Sequence, residues 1–462
     1  MGGIPKSDKR AVVERFACHL SRGQVAYLRA GHLDVLETER RGIGFVDGFS
    51  GRPMIDAFSS AGCFNVGRGN PRVRAALREA LETWDTGTPG LDSAPRRALR
   101  KRLAEIAPGD LDRVLLCAGG GDAVDAAIKL ARGATGRIEI LSTVKAYHGH
   151  TGFALSVNGK PHYRDYCEPL MPGVRFVPFG DLEAARRQVS ENTAAILIEP
   201  VQGEAGIFVG SDSYLRGLRD LCDSTGALLI LDEIQTGFGR TGKLFACEHS
   251  GVVPDLMTLA KSIGGGLYPN AALLWRDVEP LASWTRDHPD FHHTTGGSEL
   301  ACLTSLAVID EIVERRLWEN AAVRGAELRS ALDKIRLNNP RIVKEVRGLG
   351  LMLGIEYIHE FLGPLMSDAL ARRGVFAAYS GNAPQVMRFM IPLTATAEEV
   401  AKLADAIRGA VEDMRRILPL ALPAARIPVL LRLLNNERVQ TRLFGGLRRV
   451  DDAFSRIIRR RT

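Results

Sequence analysis

Cysteine is scarce in this sequence, and its few positions show no pairing pattern. The chain of 462 residues contains seven cysteines, and no two of them form a Cys-x-x-Cys pair. An odd count without such pairs argues against a disulfide framework and against a thiolate zinc site. We therefore predict a cytoplasmic protein in which a single cysteine acts as a small buried apolar side chain. The cysteines are Cys18, Cys63, Cys117, Cys167, Cys222, Cys247 and Cys302.

Long apolar runs and targeting segments are also missing. No stretch of about 18 residues is both apolar and free of charge, so a transmembrane helix is not expected. The first residues, MGGIPKSDKRAVVERF, lack the apolar segment of a secretory signal and the Ser or Thr of a myristoylation motif. The composition, 45% hydrophobic and 25% charged, indicates an ordinary globular protein of about two or three domains.

The positive net charge belongs to one end of the chain. The sequence has 61 basic and 54 acidic residues, a net charge of +7. From Arg415 to Thr462 there are twelve arginines and three acidic residues, which leaves 49 basic and 51 acidic residues elsewhere. A nearly neutral body does not favour nucleic-acid binding. We expect the basic tail to be a solvated helical extension; the alternative is a docking segment for an acidic partner, such as a carrier protein or an anionic membrane surface.

The central part of the chain alternates helical patterns with short apolar strands. Helix-like segments separate the apolar runs RVLLCA, IEILST, VRFVP, AAILIEPV and ALLILDE. Such alternation predicts an α/β domain with a mostly parallel sheet covered by helices on both faces. We assign this large domain to residues 71–320 and a smaller α+β domain to residues 321–414. Residues 1–70 are expected to join the smaller domain, and residues 415–462 form the basic extension.

Polar residues and glycines stand where several of these strands end. Asp232 follows five apolar residues, and Glu199 and Glu204 follow another strand. The segment RVLLCAGGGDAVDAAIKLAR combines a strand, the turn 119–121 and a helix, a pattern typical of a phosphate site. In a parallel sheet these positions meet at the ligand-binding edge. Taken singly, the carboxylates are as well explained by helix caps or ion pairs, and the glycines by a tight turn without a ligand.

Lys261 changes the interpretation of this set. It ends the apolar run in PDLMTLAK and precedes SIGGG, and lysine is rarely buried without a partner or a task. Together with Asp232, the glycine turn and Tyr147 in KAYHGHT, it points to pyridoxal 5′-phosphate as a cofactor. Lysine can form an imine with this cofactor, aspartate can keep its pyridinium nitrogen protonated, and an aromatic ring can stack on it.

These motifs resemble the class III pyridoxal-phosphate-dependent aminotransferases, the family of ornithine, 4-aminobutyrate and lysine aminotransferases. The resemblance covers about residues 40–414, and its most specific stretch is LLILDEIQTGFGRTGKLFACEHSGVVPDLMTLAKSIGGG. It implies the fold-type-I architecture. It also implies a ping-pong transfer of an amino group from an amine or amino acid to a keto acid or aldehyde, in a biosynthetic pathway.

The resemblance implies roles for individual residues around the cofactor. Lys261 is the catalytic lysine that forms the imine and moves the proton, and Asp232 pairs with the pyridinium nitrogen. Thr294, in HHTTGGSELAC, is expected to reach the phosphate of the neighbouring subunit, which implies a homodimer with composite active sites. The full set of expected cofactor contacts is Gly120, Gly121, Tyr147, His148, Asp232, Gln235, Lys261 and Thr294.

Substrate contacts follow from the same resemblance. Arg388, in VMRFMIPL, is expected to hold a substrate carboxylate through its bidentate guanidinium, and Glu204 is expected to mask this arginine. Glu199 and His150 are further candidates for substrate binding. No metal site is expected, because the closely spaced histidines lack thiolate support; these are His148, His150, His292 and His293.

The sequence departs from the family pattern at positions that bear on specificity. The phosphate turn at 119–124 reads GGGDAV where the family usually has Ser-Gly-Thr-Glu-Ala-Asn, so a phosphate would rely on backbone N–H groups and the helix dipole. His150 stands where members that bind ω-amino acids often have arginine. Gly44 and Ala61 stand where aromatic residues line the ornithine pocket. We therefore expect a different amine, a larger amino acid or a biosynthetic intermediate, rather than ornithine or 4-aminobutyrate.

Two alternative functions remain open from the sequence alone. A racemase, epimerase or decarboxylase on the same fold would share the imine at Lys261. A non-catalytic protein that retains the fold is the second alternative, and the intact Lys261, Asp232 and Gln235 argue against it.

Overall fold

The computed structural model describes residues 9–19, 21–30, 33–88 and 90–425. The arginine-rich tail beyond Ala425 lies outside the described residues, so its predicted roles stay predictions. None of the described helices combines the length and the apolar composition that a membrane span requires.

The first described residues form two helices, α1 (Lys9–His19) and α2 (Arg22–Ala30). The sequence pattern predicts one helix and an extended connection over residues 8–40, so the second helix is a correction. Ser21 accounts for it, because its hydroxyl accepts the backbone N–H of Gln24 at 3.3 Å. Ser-x-x-Gln is a helix-start motif, and this signal in the sequence could have located the second helix.

Three strands follow, β1 (Glu37–Arg41), β2 (Gly44–Asp47) and β3 (Arg52–Asp56). The antiparallel pairing of β2 with β3 confirms the hairpin predicted over Phe45–Asp56. Asp47 stabilises its turn, because the carboxylate accepts the backbone N–H groups of the next residues at 3.2 Å.

A seven-stranded sheet forms the centre of the chain, in the order β4-β12-β11-β10-β7-β5-β6. Its strands and two short neighbours are β4 (Arg113–Cys117), β5 (Glu139–Thr143), β6 (Val174–Val177), β7 (Thr193–Ile198), β8 (Val201–Gln202), β9 (Phe208–Val209), β10 (Leu228–Asp232), β11 (Leu256–Leu259) and β12 (Ala271–Trp275). Strand β12 is antiparallel to both neighbours, and the other strands of the sheet are parallel to one another. The predicted mostly parallel sheet is confirmed.

Helices cover both faces of this sheet. They are α3 (Pro71–Thr83), α4 (Ala94–Ile106), α5 (Gly120–Thr135), α6 (Gly152–Ser156), α7 (Leu182–Gln188), α8 (Asp212–Thr225), α9 (Leu281–Asp287) and α10 (Glu299–Glu314). Along β10, Leu228 and Ile230 belong to the apolar cluster that contains α5, whereas Leu229 and Leu231 belong to the cluster on the other face. The alternation follows from the two-residue period of a strand.

The remaining elements build a smaller unit that uses both ends of the chain. They are α11 (Leu317–Asn338), β13 (Val343–Leu349), β14 (Met352–Tyr357), α12 (Leu362–Ala371), β15 (Val375–Phe376), β16 (Ala378–Tyr379), β17 (Val386–Phe389) and α13 (Ala397–Ala425). Strands β13, β14, β17 and β16 form an antiparallel sheet, and β15 joins β3 in the N-terminal sheet. The domain boundaries at 70, 320 and 414 stay predictions, and α13 continues across the last of them.

Arg240 connects the central domain to the segments on either side of it. Its side chain is fully buried. Nη1 donates to the carbonyls of Leu351 at 2.9 Å and Ile391 at 2.5 Å, and Nη2 donates to Oδ1 of Asn65 at 2.5 Å. A buried charge is tolerated only with such partners. Arg240 therefore fixes three regions of the chain against one another.

Candidate active site

A cavity of about 580 Å³ opens at the carboxyl edge of the central sheet. The ends of β4, β5, β7, β10 and β11 all reach this edge, as expected for ligand sites of parallel sheets. Most of the predicted site residues line it, namely Gly120, Gly121, Tyr147, His148, Glu199, Glu204, Asp232, Gln235 and Lys261. Three others do not belong to the wall, namely His150, Thr294 and Arg388.

The glycine turn leads directly into helix α5. Gly119 caps the helix in an extended conformation, with φ −153° and ψ 170°, which any residue can adopt. A side chain at Gly121 would meet the Oγ1 atom of Thr151 at 2.7 Å, and one at Gly120 would meet Ile234 at 3.1 Å. Glycine at these positions therefore lets Ile234 and Thr151 pack closely against the turn. The first turn of α5 has backbone N–H groups without intrahelical partners, which suits a phosphate.

Asp232 ends β10 with both carboxylate oxygens held. Oδ1 accepts the backbone N–H of Ile234 at 3.0 Å, and Oδ2 lies 2.8 Å from Nδ1 of His148. Because the carboxylate accepts, we assign a proton to Nδ1. The His148 backbone N–H donates in turn to Oδ1 of Asn158 at 2.7 Å. His148 thus positions Asp232. No local pattern in the sequence indicates that these two residues pair.

Glu199 is a buried carboxylate that bridges two loops of the cavity. Oε1 accepts the backbone N–H of Tyr147 and Oε2 accepts that of Gly203, both at 3.1 Å. Burial raises the pKa of Glu199 to about 7; the charge of Asp232 acts in the same direction, and His148 and the two N–H groups act against it. Both oxygens have backbone partners, so the predicted contact of Glu199 with substrate stays a prediction.

A left-handed turn over residues 59–62 forms another part of the site. Its φ angles are 50°, 49°, 58° and 92°, and the N–H of Cys63 closes it by donating to the carbonyl of Ser59 at 2.8 Å. Left-handed backbone is unfavourable by roughly 1–2 kcal/mol per non-glycine residue. Asp56 holds the start of the turn, because its Oδ1 accepts the N–H of Ser59 at 2.7 Å. Ser60 lines the cavity, and the carbonyl of Ala61 accepts from Nε2 of Gln235 at 3.1 Å.

Lys261 also has an unusual backbone. It begins the short 3-10 helix Lys261–Gly264 directly after β11, and its φ is 46°. Positive φ at a non-glycine residue is uncommon and clusters at functional sites. The backbone therefore places the lysine against the cavity at some conformational cost, in agreement with the prediction that it lies there.

Arg388 and Glu204 form a buried ion pair beside the cavity. Nη1 of Arg388 lies 2.5 Å from Oε1 of Glu204, and the Arg388 side chain is 3% exposed. Burial acts to raise the pKa of Glu204, but Arg388, Lys261 and the N–H of Gly381 together lower it. The glutamate therefore remains charged and occupies the guanidinium, as the predicted masking requires.

The three predicted residues outside the wall differ in position. Arg388 contacts the site through Glu204. His150 is exposed, and its ring lies 5.5 Å from the ring of Tyr147. Thr294 is exposed in this chain, and its predicted contact with a neighbouring subunit stays a prediction.

The chain is similar along most of its length to proteins of one enzyme family. The family described as aminotransferase class III matches residues 28–411. The chain belongs to the class III aminotransferases. An aminotransferase of Archaeoglobus fulgidus is 38% identical to it over 413 residues, which are 89% of this chain and 96% of the relative.

Solved structures agree with this assignment. The ornithine aminotransferase of Toxoplasma gondii superimposes with a TM-score of 0.78 at 27% identity, over 87% of this chain and 98% of that one. An (S)-enantioselective omega-transaminase of Thermomicrobium roseum superimposes with a TM-score of 0.80 at 31% identity, over 88% of this chain and 99% of that one. The fold-type-I architecture and the aminotransferase activity are thereby confirmed. Nothing in these relatives supports the racemase, epimerase or decarboxylase alternative.

The cofactor of this class III aminotransferase is pyridoxal 5′-phosphate, and the cavity fits it. Oε1 of Gln235 and Nε2 of His148 are buried atoms without a hydrogen-bond partner among the described residues. Lys261 supplies an amine and Asp232 a carboxylate in the same wall, beside the open N-terminus of α5. A second Toxoplasma gondii structure has pyridoxal phosphate at partial occupancy in its active site.

Replacing Gly119 should strengthen cofactor binding. Gly119→Ser adds a hydroxyl in an allowed conformation, where the nearest atom to its Cβ would be Oδ2 of Asp122 at 3.3 Å. We expect about tenfold tighter binding, the effect of one hydrogen bond to a charged group. Absorbance titration of the cofactor-free protein measures this. Gly121→Thr is the matched control, in which the clash with Thr151 should weaken cofactor binding. The geometry would be contradicted if Gly121→Thr bound the cofactor more tightly than wild type, or if Gly119→Ser bound it no more tightly.

Glu199 should make stability depend on pH. Its raised pKa means that the folded state binds the proton more tightly than the unfolded state does. The resulting contribution to the free energy of unfolding is fully present below about pH 4.5 and is lost as pH rises to about 7. Urea unfolding of the cofactor-free protein between these values measures the slope. In Glu199→Gln we expect a lower overall stability, because one backbone N–H loses its acceptor, but a flatter pH dependence. An unchanged slope would show that Glu199 is not the titrating group.

Proposed function

We propose that amino transfer takes place in the cavity at the carboxyl edge of the central sheet, with Lys261 and Asp232 as the catalytic residues. The observation that carries this proposal is the meeting of the lysine, the aspartate and the glycine turn in one cavity wall.

Each cofactor contact follows from the chemistry of the residue. Asp232 would hold the ring nitrogen protonated, and His148 would keep the Asp232 carboxylate in place. Backbone N–H groups of Gly120 and Gly121 would bind the phosphate, and Tyr147 would cover the ring. The amide of Gln235 would contact the ring hydroxyl, because its Nε2 is already bonded to Ala61 and its Oε1 is free among the described residues.

When bound, pyridoxal phosphate supplies an electron sink for charge that develops at the substrate carbon. Nζ of Lys261 would take the proton from that carbon and deliver it to C4′ of the cofactor, the carbon on the other side of the amino nitrogen. Its placement after β11 puts the half-buried lysine in the cavity wall, where its amine can be oriented toward the substrate carbon.

Substrates are amines or amino acids and their carbonyl counterparts. We propose that Arg388 binds the carboxylate of those substrates that have one, after Glu204 moves away from it. The pair is nearly excluded from water, so a substrate carboxylate must replace Glu204 rather than leave Arg388 unpaired. A bulky donor from a biosynthetic pathway stays a prediction from the sequence, because neither Gly44 nor Ala61 lies in the cavity wall.

We also propose a cytoplasmic homodimer. The seven cysteines are all free, and four of them are buried, as suits a reducing compartment. Fractionation of cells that produce the full chain tests the location, and activity in a membrane or secreted fraction would contradict it.

Half-transamination tests the catalytic assignment. Incubation of the cofactor-loaded protein with an amino donor should yield stoichiometric pyridoxamine phosphate and carbonyl product, because the transfer stops without an acceptor. Lys261→Ala should abolish this, a loss of at least about 1000-fold. Lys129→Ala, an exposed lysine on α5, is the control. Exchange of the substrate hydrogen without a carbonyl product would contradict amino transfer.

Thr294 tests the composite site. Thr294→Ala should weaken cofactor binding several-fold, by about one hydrogen bond, because its hydroxyl would reach the neighbouring phosphate. Mixing this variant with Lys261→Ala distinguishes the arrangement: mixed dimers would contain one site with both defects and one with neither, so activity should recover in part. No recovery in a confirmed mixed dimer would argue that each chain completes its own site.

A further inference from the structure

Four basic side chains lie at the mouth of the cavity, and we call them the rim cluster: Lys145, His150, Lys160 and His162. Ring contacts connect the two histidines of the cluster to the cavity wall. The His150 ring lies 5.5 Å from that of Tyr147, which lines the cavity. The His162 ring lies 3.9 Å from that of Tyr163, and the Tyr163 ring lies 5.5 Å from that of Tyr147. The rim cluster therefore begins where the cavity wall ends.

The loop between β16 and β17 also reaches the rim cluster. Nζ of Lys160 donates to the carbonyl of Gly381 at 3.1 Å, and Nδ2 of Asn382 donates to the carbonyl of Lys145 at 3.1 Å. The hydroxyl of Ser380 donates to the carbonyl of Glu204. One loop thus contacts both the rim cluster and the segment that carries Glu204, so the two lie on the same opening.

The two lysines of the rim cluster have no carboxylate partner among the described residues. Neither Lys145 nor Lys160 forms an ion pair there, although other lysines do. Burial lowers the pKa of Lys160, and the charge of Lys145 lowers it further. Burial and Lys160 lower the pKa of His162; Asp165 acts in the opposite direction, and His150 again lowers it. The two lysines of the rim cluster therefore carry positive charge without a carboxylate partner among the described residues, and such a surface attracts an anion.

We propose that the rim cluster binds an anionic group, a carboxylate or a phosphate, at the end of a substrate remote from the reacting nitrogen. The proposal rests on the proposed function, because it names the substrate class for the same cavity. Glu204 already neutralises Arg388, so the rim cluster supplies the positive charge for a second anion. Aromatic rings beside these charges can pack on the apolar part of the same substrate.

Paired amino donors test this proposal. The donors have one chain length and end in a methyl, a carboxylate or a phosphonate group, and kcat/KM is measured for half-transamination. Lys145→Gln and Lys160→Gln should each lower kcat/KM for the anionic donors about threefold, and the double variant about tenfold, as expected for exposed charge pairs. The methyl donor should be unaffected. The carboxylate and phosphonate arms show which anion the cluster prefers.

The variants at Lys160 distinguish the effect of its charge from an effect on the position of the loop that contains Gly381. Glutamine at 160 keeps an N–H donor for the carbonyl of Gly381, and Lys160→Arg should restore the anionic donors because it restores the charge. Lys334→Gln removes an exposed lysine from α11 as the matched control. An equal loss for methyl and anionic donors would overturn the proposal, because it would indicate a role in loop position alone.

Binding without turnover separates this proposal from the proposed function. Calorimetry measures how tightly the wild type and the double variant bind the unreactive alcohol analogue of each donor. If the double variant weakens only the anionic analogues while no donor reacts, the rim site stands and the assigned chemistry fails. If every donor reacts and the analogues bind equally well to wild type and double variant, the rim site fails and the chemistry stands.

Discussion

The parallel strands of the central sheet end at one edge, and this constraint decides where the chemistry lies. The turn after β4, the loop after β5, the glutamates after β7, Asp232 on β10 and Lys261 after β11 are far apart in the sequence. The shared strand direction brings them to one cavity, where contacts such as that between His148 and Asp232 then hold them together. The antiparallel β12 leaves this convergence intact, because it places no assigned catalytic residue at that edge.

Residues that local patterns place at strand ends were predictable from the sequence. Asp232, Lys261 and Gly119–Gly121 each follow an apolar run, and the family resemblance adds their roles. Contacts between distant segments were not predictable in this way. The pairing of His148 with Asp232 and the two backbone partners of Glu199 depend on how separate loops meet. The left-handed turn at 59–62 has no local signal either, since three of its four residues disfavour it.

Charged side chains give two neighbouring parts of the cavity a different character. Arg388 and Glu204 satisfy each other and present a nearly neutral pair. At the mouth, the exposed Lys145 and the half-buried Lys160 repel each other and have no carboxylate partner among the described residues. Glu199 accepts the backbone N–H groups of Tyr147 and Gly203, so its carboxylate fixes the loop that carries Tyr147 against the loop that carries Glu204.

Arg240 limits how the two domains can move. Its guanidinium bonds to Asn65 and to two carbonyls of the smaller unit. Opening at that point would strip a buried charge of its acceptors. Any movement of the smaller unit against the central domain must therefore keep these acceptors within reach of the guanidinium or replace them with others. The relative position of the two domains is in this way tied to the satisfaction of a single buried charge.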